Sequence, residues 1–69
     1  MNQEDMKKLE EELEILIDRN GISSVLEALA QVCFDKWQHV EVNWQDHGLA
    51  RRWHKLAVKI DRLVTIADI

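Results

Sequence analysis

The sequence predicts an all-α fold, a three-helix antiparallel hairpin or bundle completed by homodimerisation, and three observations carry that expectation. The 69 residues contain no proline and two glycines, so little interrupts a helix. No stretch alternates apolar and polar residues with the period of two that a half-buried strand requires. Apolar residues recur instead at three- and four-residue steps in three consecutive segments, each bounded by a capping signal. Residues 1–69 are therefore read as a single helical domain.

The first segment, about residues 3–19, places Met6, Leu9, Leu13, Leu16 and Ile17 on one face. It stops at Asn20-Gly21, residue types that tolerate the left-handed conformation closing a helix. The second segment, about 24–43, opens at Ser23-Ser24, where a hydroxyl can accept from an orphan amide, and Ser24 with Glu27 has the spacing of a capping box. Leu26, Leu29, Cys33, Trp37, Val40 and Trp44 form the centre of its apolar stripe. Val25, Ala30, Val32 and Phe34 widen the stripe well beyond the roughly 100° that a single neighbour needs, so this helix is expected to be central, most buried and packed on two or more elements. The third segment, about 46–65, takes its cap from within Asn43 to Asp46 and buries Leu49, Trp53, Leu56, Ala57, Ile60, Leu63 and Val64, with Gly48 in its first turn. Short connections favour antiparallel neighbours.

A chain of this length buries a modest fraction of its surface, and small domains add disulfides, a metal or oligomerisation to compensate. Cys33 is the only cysteine, which excludes an internal disulfide and fits a reducing, cytoplasmic setting. The opening Met1-Asn2-Gln3-Glu4-Asp5 lacks the basic-then-apolar order of a signal peptide, and no apolar run is long enough to span a bilayer, so no membrane partner is expected. Ile15 and Val42 lie off the apolar faces of their helices. With the broad central stripe, they point to a second contact surface and to a symmetric homodimer in which the central helices or their tryptophans meet.

The formal charge of −4 is unevenly spread. Residues 1–20 hold seven acids against three bases, whereas residues 47–69 hold five bases against two acids. Arg51, Lys55, Lys59 and Arg62 follow at steps of four, four and three and project within about a third of the helix circumference. One account pairs them with Glu10, Glu14 and Asp18 of the first helix; the other makes them the partner-binding face, for an acidic protein or, alternatively, for nucleic-acid phosphates.

The remaining conspicuous residues favour structural readings. Trp37, Trp44 and Trp53 fit a core shared by two helices, with an aromatic interface hot spot as the functional counterpart. His39, His47 and His54, with Glu41 and Asp46 nearby, lack the three- or four-residue ligand step of helical metal sites and are expected at the surface. Cys33, central in an apolar stripe, is expected to be inert despite His39 six residues on. No catalytic residue, cofactor or metal is expected, and the function class is a small non-enzymatic interaction or regulatory protein.

Gly21-Ile22-Ser23-Ser24-Val25-Leu26-Glu27-Ala28-Leu29-Ala30, then Asn43-Trp44-Gln45-Asp46, Leu49-Ala50 and Trp53, resembles a group of short helical proteins of cyanobacteria and their phages. The resemblance covers roughly residues 21–60. It implies such a host and a cytosolic setting, and no mechanism.

Overall fold

Helix α1 spans Gln3–Asn20, α2 spans Ile22–His39 and α3 spans His47–Ile66, with a π-helical segment, Val40–Trp44, between α2 and α3. They come from a computed structural model that describes residues 1–67 and has no strand among them, in line with the all-α expectation.

Each helix end has a local cause. Asn2 starts α1 by accepting the Asp5 amide at 2.8 Å, and Glu4 and Asp5 in the first turn complement the positive end of the helix dipole. At the other end, the Gly21 amide donates to the Ile17 carbonyl at 2.7 Å and the Asn20 side chain donates to Leu16 at 2.9 Å. Gly21 ends α1 as the sequence indicates, but not in the compact left-handed geometry. Its φ of 84° and ψ of 153° fall in a region that only glycine occupies readily, and the extended ψ sends the chain directly into α2. The same glycine caps α2, which begins at Ile22 without a side-chain cap. That corrects the expected Ser23-Ser24 cap: both serines sit inside the first turn, Ser24 is exposed, and the Ser23 hydroxyl donates instead to the Ala67 carbonyl at 2.6 Å.

Ala30, Cys33, Ala57 and Ile60 make the core between α2 and α3, with Leu26, Phe34 and Trp53 packed around it. Alanines on both helices allow close approach, and Ala57 is completely buried. The Ser23 to Ala67 bond ties the start of α2 to the end of α3, so the pair runs antiparallel. Buried residues are shared between α2 (Ala30 and Cys33), the π-helical segment that follows it (Val40) and α3 (Ala50, Ala57 and Ile60), so α2 is not the most buried helix. It is central in another sense, because it alone packs on both other helices.

The first helix departs most from expectation. It has no buried residue and makes no packing contact with α3, so a bundle in which every helix touches the others is not formed. A 69-residue chain packed to ordinary density has a radius of gyration of about 11 Å. The observed 14.0 Å and extents of 37 × 32 × 14 Å describe an open, flat arrangement instead.

The π-helical segment replaces the end of the expected second helix. Its wider turn advances each residue by less than the α-helical 100°, which over five residues rotates Trp44 off the stripe of α2 by roughly a quarter turn. Val40 at its start is buried, while Trp44 at its end is 63% exposed. Gln45 then adopts a left-handed φ of 53°, and Asp46 caps α3 by accepting the Leu49 amide at 3.0 Å, within the range of caps the sequence allows.

Candidate functional site

The most distinctive surface lies on α3, opposite to its buried side. Ala50, Ala57 and Ile60 fix that helix against α2, and the helical period then turns Arg51, Lys55, Lys59 and Arg62 outward along one strip about 16 Å long. All four are exposed. With His54 and the half-buried Val58 they line a shallow groove of about 420 Å³, whose apolar floor suits the methylene stems of the long cations.

The pairing of these cations with α1 is not made. Glu10, Glu14 and Asp18 stand on a helix that does not touch α3, and among the described residues the single ion pair joins His47 to Glu41, Nδ1 to Oε1 at 2.8 Å. Positive charge on α3 and negative charge on α1 are therefore each presented to solvent.

Arg51 and His54 also border a second groove of about 370 Å³, together with Trp37, Glu41 and His47. The His54 ring is half-buried and stands edge-on to Trp37, centroids 4.6 Å apart, and to Phe34 at 5.9 Å. The basic strip thus continues into an aromatic-walled recess closed by the Glu41 to His47 contact. His54 is not the plain surface histidine the sequence suggests. The signal was its spacing, four residues after Ala50 and three before Ala57, the two completely buried residues of α3. The sequence sets Glu41 near His47 but does not mark their contact, which is made across the π-helical segment and the turn after it.

The three histidines are not brought together. His39 meets the Asn43 side-chain amide at 3.1 Å and stands edge-on to Trp44, while His47 and His54 face the recess. Among the described residues no group of three or more histidine, cysteine or acidic side chains is placed to hold a metal ion.

Of the residues expected in a core or dimer contact, Cys33 and Val40 are buried and Trp37 and Trp53 half-buried. Leu29 and Trp44 lie outside the core, at 46% and 63% exposure. Leu29 points to the α1 side of α2 rather than to α3, and Trp44 has been turned away by the π-helical segment. The tryptophans do not form one cluster: Trp53 joins the α2–α3 core, Trp37 rests on His54, and Trp44 meets His39. No helix among the described residues is long and apolar enough to cross a membrane. Comparison with protein-family models, curated proteins and solved structures finds no match to this chain.

Proposed function

We propose that this chain is a small, non-enzymatic, cytoplasmic interaction protein that works as a homodimer and binds an acidic protein through Arg51, Lys55, Lys59 and Arg62. One observation carries the reading: these four cations stand exposed along one strip of α3 with no ion-pair partner among the described residues. Two arginines offer bidentate bonds to carboxylates and two lysines add mobile point charges, while the core behind α3 holds the strip rigid. Phage or host regulation is the setting this reading proposes for such binding.

The same strip supports a second reading, a nucleic-acid-binding surface that uses α3 on phosphates. The acidic protein is preferred because the chain carries −4 overall, a charge that weighs more against a duplex, with one phosphate charge per about 1.7 Å of axis, than against a protein surface of lower charge density.

Fluorescence anisotropy at low salt with a labelled polyglutamate peptide and with mixed-sequence duplex DNA separates the readings. The expected result is salt-sensitive binding of the peptide that Lys55→Glu with Lys59→Glu weakens at least about tenfold, or 1.4 kcal/mol, at unchanged helical content. Tighter binding of DNA than of peptide replaces the first reading by the second. Binding of neither overturns both.

A further inference from the structure

We propose that the groove between α1 and α2 is filled by α1 of a second copy of this chain, so that two copies interlock through their α1–α2 pairs. The inference rests on the homodimer reading above and moves its contact from the tryptophans to a different surface.

The groove, about 400 Å³, is walled by Leu13 and Leu16 from α1 and by Val25, Ala28, Leu29 and Val32 from α2. These α2 residues lie roughly a third of a turn around the helix from the face that packs on α3, so α2 carries two apolar faces and the fold covers one. On α1, Met6 and Leu9 extend the apolar stripe beyond the groove, and both are exposed.

Spacing identifies the occupant as a helix. Met6, Leu9, Leu13, Leu16 and Asn20 follow at steps of three, four, three and four, and Val25, Leu29 and Val32 at four and three. Such 3-4 repeats give the seam of paired helices, in which each side chain fits between four of its neighbour's. A flat or irregular ligand has no use for that register.

Area identifies the helix as the chain's own. A folded monomer of 8.1 kDa is expected to expose about 4,500 Å². This chain exposes 5840 Å². The excess of about 1,300 Å² per copy gives about 2,600 Å² for a pair, within the range of roughly 2,000–5,000 Å² buried by obligate homodimers. A two-fold arrangement satisfies both copies at once, since each contributes one exposed α1 and one groove. Charges agree with it: Lys36 stands one turn beyond Val32 on the same side of α2, and Glu10 and Glu14 flank the stripe of α1, all three exposed.

The test is sedimentation equilibrium of the full chain and two variants. Leu13 in the groove and Leu56 on α3 are similarly exposed, at 40% and 44%, so glutamate at either position is a comparable insult to the isolated fold. At micromolar concentration the wild-type chain is expected at twice its 8.1 kDa mass, Leu13→Glu at the monomer mass and Leu56→Glu still at twice it. If Leu13→Glu loses its helical content, Leu13→Ala takes its place, with a dimer dissociation constant raised at least about tenfold. A wild-type monomer at every concentration overturns the homodimer and the groove assignment together. A dimer that survives the Leu13 variants, or one lost equally in Leu56→Glu, overturns the groove assignment alone.

Discussion

The Ser23 hydroxyl donates to the Ala67 carbonyl at 2.6 Å, joining the first turn of α2 to the residue that ends α3. The bond is partly buried and spans 44 residues, so it sets the register of the two helices rather than the local shape of either. Ser23→Ala is expected to cost about 0.5–1.5 kcal/mol in urea unfolding, with helical content unchanged. A neutral result means that water replaces the hydroxyl without loss.

The two glycines are expected to respond to alanine with opposite sign. Nothing lies within 4 Å of a Cβ built on Gly21, yet its φ of 84° is strained for any side chain, so Gly21→Ala should destabilise by about 1–3 kcal/mol. At Gly48 the added Cβ meets the Asp46 Oδ1 at 3.6 Å, an ordinary contact in the first turn of α3. Gly48→Ala should stabilise by about 0.4–1 kcal/mol by reducing the freedom of the unfolded chain. Melting temperatures that move in the same direction contradict the backbone assignment.

Caps provide a further contrast. Asp46 accepts the Leu49 amide, so Asp46→Ala should cost about 0.5–2 kcal/mol. Ser24 is exposed within the first turn of α2, and Ser24→Ala should change stability by less than about 0.5 kcal/mol. A larger loss from Ser24→Ala than from Asp46→Ala would restore the capping box that the sequence alone suggests.

Cys33 is 3% exposed within the α2–α3 core. Its reaction with an aromatic disulfide reagent should follow opening of the α2–α3 pair, accelerating with urea in step with unfolding. Fast labelling without denaturant is incompatible with that core.

What the sequence reveals and conceals divides along physical lines. Helix existence follows from periodicity, and the ends at Gly21 and Asp46 follow from residue types whose backbone or side-chain chemistry is local. The basic strip is equally legible, because Arg51, Lys55, Lys59 and Arg62 depend only on the period of one helix. The π-helical segment is not, since bonds to the fifth residue leave no side-chain signature, and with it went the positions of Trp44 and of the Glu41 to His47 contact. The relation of α1 to α3 was also hidden. Opposite charges on two helices state a complementarity, but not whether those two helices pack together.

Hydrogen exchange of the full chain, followed by mass spectrometry from high-micromolar concentration down to nanomolar, tests most directly whether a second copy holds α1. Alone, α1 has no buried residue, and helices in proteins draw most of their stability from tertiary packing, whereas α2 and α3 share a core around Ala30 and Ala57. The account predicts that amides between Leu9 and Ile17 lose protection on dilution, before those flanking Ala30 and Ala57 and to a greater extent. Protection of α1 that matches α2 and does not change with concentration would contradict it.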